Sequence, residues 1–237
     1  MFSPTGMDVL NHTENPEIAR FLERLVHDLR EPLRSIGAFT EVLAETARNR
    51  VGGDGERALR EIPEGIARIG VMLEGLSGYA LALREPVDCG SPASMQSAFR
   101  IVLAEMDMPI RDCGAAVTAV DLPTLNLSLD RLMQLLRILI GNSLRFRSEA
   151  APAIRVSAAM EQSGWWTLRV EDNGIGIPPE ECSKVFTPFT RLHGRKYGGI
   201  GLGLATAKRI VEAHGGSIRM EPAPGGGCIC VFTLPEI

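Results

Sequence analysis

At 237 residues, with 45% of them hydrophobic and a formal net charge of −4, the chain can bury one large or two small cores but carries no broad basic field, which argues against nucleic acid or an anionic membrane as partner. The five cysteines, Cys89, Cys113, Cys182, Cys228 and Cys230, are odd in number and show no CxxC spacing. They suit reduced thiols in the cytoplasm better than a disulfide framework or a zinc site.

No apolar run approaches the roughly 18 residues that span a bilayer, and the N-terminus lacks the pattern of a signal peptide, so no membrane span and a cytoplasmic location are expected. Residues 1–15, rich in Pro, Gly, Asn and Thr, read as a flexible leader. From Pro16 to about Arg50 the positions Ile18, Leu22, Leu25, Leu29, Leu33, Ile36 and Leu43 recur at helical spacing, with Pro16 in the first turn. Gly52 and Gly53 break that run. A second helix from Glu56 to about Leu83 carries Leu59, Ile62, Ile66, Ile69, Leu73, Leu76 and Ala80. Residues 16–85 therefore form a helical hairpin, and stripes this apolar need a second copy to bury them, which predicts a homodimer built as a four-helix bundle.

Residues 86–93, with Pro86, Gly90 and Pro92, read as a linker. Residues 94–237 change to a mixed pattern: a helix from Ser94 to Asp107, a strand from Ala116 to Leu122, an apolar helix from Asp130, its expected N-cap, to Phe146, and alternating strands around Ile154–Met160 and Trp166–Val170 joined at Ser163-Gly164. A helix from Gly201 to Ala213 and two last strands, Ser217–Glu221 and Cys228–Leu234, complete an α+β sandwich with a largely antiparallel sheet.

The chemistry concentrates between Val170 and Leu204. Asp172 ends an apolar strand, where its carboxylate can accept a hydrogen bond from the amino group of adenine; an Asx-turn is the other reading. Asn173-Gly174-Ile175-Gly176 follows it, and Gly198-Gly199-Ile200-Gly201-Leu202-Gly203 opens a helix. Glycine lets backbone approach a ligand, and the N–H groups of a helix start attract phosphate. The basic loop between them, with Phe186 and Phe189, can close over a triphosphate or be a plain surface loop. On the helix before, Asn142 can ligate Mg²⁺ and Arg145 can bind phosphate; a solvent-facing pair is the alternative. His27 stands about 200° around its helix from Leu25 and Leu29 and so faces solvent away from them. Asp28 can orient its imidazole for attack on phosphorus, and Pro32 should bend the helix below it; an ordinary surface pair is the alternative.

Together these segments resemble the transmitter module of a two-component sensor histidine kinase. His27 to Arg34 resembles the phospho-acceptor box, Asn142 to Phe146 the N box, Asp172 to Gly176 the first glycine box, Phe186 to Phe189 the phenylalanine box and Gly199 to Gly203 the second glycine box. The Arg-Glu-Pro-Leu-Arg run, Phe39-Thr40 and Arg191 to Arg195 are most similar to the phytochrome-associated subgroup. The resemblance implies a dimerisation and phosphotransfer hairpin followed by an ATP-binding domain of the type shared with gyrase, Hsp90 and MutL. It implies His27 as phosphorylated nucleophile, Asp28 as its base or orienting partner, and Asn142 on Mg²⁺. Arg145, Asp172, Asn173, Gly174, Gly176, Phe189, Gly199, Gly201, Leu202 and Gly203 would line the ATP site. The receiver domain of a response regulator would take the phosphoryl group, and an upstream sensor would supply the signal.

Three positions depart from that pattern: Ile138 where many members have another Asn, Ile200 where a hydroxyl often sits, and Glu31 where Thr or Asn supports phosphatase activity. The first two leave open a scaffold dimer that no longer uses ATP. A gyrase-like or chaperone ATPase is a third reading, which leaves His27 unexplained.

Overall fold

The computed structural model describes residues 9–47, 54–84, 91–161, 164–192 and 197–237. Gly52 and Gly53, Pro86 to Gly90 of the linker, Ser163 of the turn and His193 to Lys196 of the basic loop lie outside the described residues. The chain divides into two units, Met1–Arg84 and Glu85–Ile237.

The first unit consists of α1 (Val9–Ala47) and α2 (Asp54–Leu83). Helix α1 starts ahead of Pro16, so the expected leader is helical from Val9 onward, and it continues through Pro32. Once nucleated, a helix of 39 residues carries the single hydrogen bond that each proline removes. Pro63 is likewise accommodated inside α2. The helices run antiparallel. Arg84 Nη1 reaches Glu23 Oε1 at 3.3 Å near one end, while Leu33 and Gly37 share a groove with Gly70 and Leu73 further along.

The seam between them uses small residues. Ala19, Val26 and Thr40 are buried on α1, with Leu33 half-buried, and Leu73 and Ala80 are buried on α2; these positions repeat every seven residues, as in a coiled coil. Leu33, Leu73 and Ala80 of the predicted stripes lie in this seam, and the other large side chains of those stripes, which a lone hairpin was not expected to bury, point away from it. Ile18, Leu25, Leu29, Ile36 and Leu43 remain exposed, as do Ile62, Ile69 and Met72 on α2. Small residues let the two backbones approach, and the large ones are left for a surface outside this hairpin. Apolar residues on two faces also give α2 a mean hydropathy of 1.4 over an 18-residue window. By length and composition that helix could cross a membrane, which counting uninterrupted apolar runs did not reveal.

In the second unit, β1 (Ala93–Ser94) leads into α3 (Met95–Glu105), whose Ser94 Oγ accepts from Ser97 N at 3.2 Å. A short α4 (Asp107–Asp112), β2 (Ala116–Val120) and β3 (Thr124–Leu125) follow. Then come α5 (Leu129–Arg145), β4 (Ala153–Met160), β5 (Trp165–Asp172), α6 (Gly203–Ala213), β6 (Ile218–Pro222) and β7 (Cys228–Pro235). The N-cap of α5 is Ser128, not Asp130: its Oγ accepts from Arg131 N at 3.4 Å, and Asp130 lies inside the first turn, where its charge suits the helix dipole.

The main sheet has the order β2-β4-β5-β7-β6, with β2 parallel to β4 and the other pairs antiparallel. Ile154, Val156, Leu168, Val170, Cys230, Phe232 and Leu234 point to one buried face, against which α5 and α6 lay Leu132, Leu136, Ile140, Ile210 and Val211. Arg155, Arg169 and Glu171 alternate to the other, exposed face. Asp172, at the end of β5 and in phase with Leu168 and Val170, thereby reaches the helix side of the sheet at its margin.

Candidate nucleotide and phospho-acceptor sites

Asp172 is held from three directions. Its Oδ1 accepts from Gly174 N at 2.9 Å and from Cys228 N at 3.2 Å, while Oδ2 accepts from Ser143 Oγ at 2.9 Å. The bond to Gly174 is the Asx-turn that was the other reading of this residue. The backbone beneath it is crowded. Gly227, at φ +89°, lies so close to Asp172 that a Cβ there would overlap the aspartate carbonyl oxygen and carbon; only glycine satisfies both the angle and the approach. Gly176 in turn lies against the Gly227 backbone. The thiol of Cys228, buried and beside the Asp172 charge, is pushed up to about 12, and burial raises that of Cys230 as well. Both thiols are inert sheet residues.

Asn173 serves the scaffold. Its Nδ2 donates to Ala151 O at 3.0 Å and its Oδ1 accepts from Ala153 N at 2.8 Å, so the amide ties the turn to the start of β4 rather than facing a ligand.

Helix α5 supplies the neighbouring groups. Ile138, Asn142 and Arg145 fall on one helical face, while Ser143 turns to the sheet. Asn142 is half-buried, and among the described residues its side-chain amide makes no hydrogen bond. The exposed Arg145 places its guanidinium against Gly199. Ile138 packs on the start of α6, its Cγ2 lying 3.5 Å from where a Gly203 Cβ would be.

The segment before α6 folds on itself through glycine. Phe189, exposed and at φ +64°, donates its backbone N–H to Gly201 O at 2.9 Å. Gly201, at φ +76°, would bring a Cβ within 2.6 Å of Thr190 O. Phe186 is the buried anchor of the preceding 3₁₀ turn. Leu202 departs from the expectation: its side chain is buried in the core, and it serves as the N-cap of α6 through its backbone. Among the described residues no side chain caps that terminus, and uncapped first-turn amides are suited to an incoming anion. Ile200 is half-buried within the same segment, and Tyr197 stacks obliquely on Phe146 with ring centroids 5.2 Å apart.

Sequence reasoning missed Ser143 and Gly227. A hydroxyl on the otherwise apolar face of α5 was the available signal for the first; a glycine directly before a buried strand was the signal for the second.

In the other unit His27 projects into solvent, its side chain 85% exposed, with Nδ1 3.4 Å from Asp28 Oδ1. That contact is long and lies on the surface, so it orients the ring weakly. Beneath it on the same helix face, Arg30, Arg34 and Glu41 border a groove of about 390 Å³ whose floor includes Leu33, Ile66 and Leu73. Neither Gly37 nor Gly70 in its wall has an atom within 4 Å of its Cβ position. The groove thus opens on the His27 side, away from the exposed apolar stripe of α1.

Residues 128–237 match the histidine kinase-, DNA gyrase B- and HSP90-like ATPase family. Cyanobacterial phytochrome A of Nostoc sp. is 32% identical over 222 residues, which cover 93% of this chain and 29% of that protein. These similarities are those of a sensor histidine kinase transmitter module. Full-length ShkA in complex with AMPPNP superposes on this chain with a TM-score of 0.72 at 22% identity, over 91% of this chain and 45% of that one. ThkA in complex with the response regulator TrrA does so with a TM-score of 0.62 at 16% identity, over 97% and 66%. At these identities the two structures show the shared fold. The chain spans less than a third of the phytochrome's length.

Proposed function

We propose that this transmitter is an ATP-dependent, cytoplasmic protein-histidine kinase that phosphorylates His27 and passes the phosphoryl group to an aspartate of a response regulator. The observation that carries the reading is that helix α5 holds both the fixed Asp172 carboxylate, through Ser143, and the start of α6, through Ile138 against Gly203: an adenine-reading acceptor and a phosphate-binding terminus on one helix. Arg145 against Gly199 adds a cation on the phosphate side. Asn142 offers a hard amide oxygen with no hydrogen-bond partner among the described residues, the donor type Mg²⁺ takes. The ion, when bound, would neutralise charge on the phosphates; the chain's own part is to seat the base on Asp172 and hold the γ-phosphoryl group for in-line transfer to an imidazole nitrogen.

The exposed stripe from Ile18 to Leu43, with Ile62, Ile69 and Met72, supports a homodimer joined as a four-helix bundle. The groove below His27, charged at its rim and apolar at its floor, supports docking of a receiver domain beside the phospho-acceptor, as ThkA binds TrrA. Incubation with γ-labelled ATP and Mg²⁺ should give acid-labile label on the wild-type protein and none on His27→Gln. Label retained by that variant would overturn the assignment.

A further inference from the structure

We infer that Ser143 is the positioning residue that sets base selectivity at Asp172, an inference that rests on the nucleotide reading above. The lone pairs of the carboxylate can be counted. Oδ1 already takes two backbone donors, Gly174 N at 2.9 Å and Cys228 N at 3.2 Å, which fills it. Oδ2 takes one, the Ser143 hydroxyl at 2.9 Å, and keeps one position open. Oδ2 is therefore the atom that meets the exocyclic amine of the base, and Ser143 is the only side chain among the described residues that fixes where that open lone pair points.

Ser143 is suited to this task. It is 6% exposed and stands on α5 between Asn142 and Leu144. Its hydroxyl has a single proton and two acceptors in reach, Asp172 Oδ2 at 2.9 Å and Leu139 O at 3.3 Å. The shorter, charge-assisted bond wins. Donation to Oδ2 holds the carboxylate against rotation about its last torsion, so the site presents an acceptor and rejects a carbonyl at the same place. Adenine offers an amine there; hypoxanthine and guanine offer an oxygen. Without the hydroxyl, Oδ1 keeps its two amides, but Oδ2 loses its only fixed donor and has room for water in its place. Water can turn its own donor toward a carbonyl, which weakens the rejection.

The test is titration of the full chain with ATP and with ITP, which differ at that exocyclic group, for the wild type and for Ser143→Ala and Ser143→Cys. Wild type should prefer ATP by about tenfold or more, as expected of a site built to accept a hydrogen bond from the ligand. In Ser143→Ala the ATP affinity should fall about fivefold while ITP changes less than twofold, and the weaker thiol donor of Ser143→Cys should fall between. Both nucleotides are titrated into one preparation, so a misfolded fraction lowers the two amplitudes together and leaves the ratio of affinities intact. A wild-type preference for ATP that survives unchanged in Ser143→Ala, or an equal fall for both nucleotides, would overturn the role of Ser143 alone. Wild type binding neither nucleotide would overturn the nucleotide reading beneath it.

Discussion

The two units treat their large apolar side chains in opposite ways. In the α/β unit Phe232, Leu168, Leu136 and Ile210 are all but fully buried within the unit itself. In the helical unit the seam is closed by Ala19, Val26, Thr40 and Ala80, while Ile18, Leu25, Ile36 and Leu43 face outward. At roughly 25 cal/mol per Å² of apolar surface, one complete side chain left in water forgoes about 1.5–3 kcal/mol. The α/β unit covers its own large apolar side chains, whereas the hairpin leaves a stripe of them open, which is what the proposed second copy would cover. In the proposed function the adenine site belongs to the self-covering unit and the phospho-acceptor to the open one.

The most damaging way to break this contrast is a charge in the outward stripe. Ile36→Asp should weaken dimerisation by about 100-fold, or roughly 3 kcal/mol, since a carboxylate would be carried into an apolar interface. Sedimentation should show monomers at concentrations where the wild type is dimeric, with loss of the helical signal of the hairpin, while ATP affinity stays within twofold. A variant that remains a dimer would show that the stripe is not the interface.

The reverse lesion is Gly227→Ala. Its Cβ would overlap the Asp172 carbonyl at a φ of +89°, a combination that should cost roughly 3 kcal/mol and lower the melting temperature of the α/β unit by about 10 °C. Any folded fraction should bind ATP poorly, because relief of the overlap moves the backbone that carries the carboxylate. The dimer should persist. Unchanged melting and ATP affinity would mean that this turn relaxes without moving Asp172.

Both lesions mark where the sequence was readable. A 3.6-residue period identifies side chains that share a face, so the exposure of His27 opposite Leu25 and Leu29 was predictable. It cannot say what covers a face, so which of the periodic positions close the seam within the hairpin and which stay open was not legible. Asp172 could be placed because strand and glycine turn are both periodic or compositional signals. Ser143 could not, since one hydroxyl in an apolar helix resembles any tolerated serine until the neighbouring strand is in view. Gly227 is one of three consecutive glycines, and which of them meets Asp172 depends on the register of β7. Ser128 and Asp130 are both good caps, and hydrogen-bond geometry chose between them. β1 and β3, each of two residues, are too short to show alternation at all.

A smaller effect separates scaffold from site within the α/β unit. Asn173→Ala removes the bonds to Ala151 O and Ala153 N, which should cost about 2 kcal/mol and roughly 5 °C of melting temperature. Because that amide serves β4, ATP affinity should change less than twofold, in contrast to Ser143→Ala, where affinity changes and melting hardly does. A large loss of ATP affinity in Asn173→Ala would return Asn173 to the ligand side.

The smallest effect tests how the helical layer of the α/β unit is tied together. Arg137 on α5 reaches Glu105 on α3 with Nε and Nη2 at 2.6 and 2.8 Å from its two oxygens. That bidentate bond holds the Glu105 carboxyl below its ordinary value. A carboxyl lowered in the folded state is deprotonated there while the unfolded chain still binds the proton, so folding gains from the pair above the unfolded pKa and loses the gain as pH falls through the folded one. Both groups are substantially exposed, so water and salt screen the pair. Arg137→Gln should melt only about 1 °C below wild type at pH 7. The difference should hold down to roughly pH 5 and close as pH falls from the ordinary carboxylate range through the lowered folded-state value of Glu105. It should also shrink in high salt, as an exposed ion pair requires. A difference that stayed constant from pH 7 to pH 3 would assign the contribution of Arg137 to the packing of its aliphatic stem between the two helices instead of to its charge.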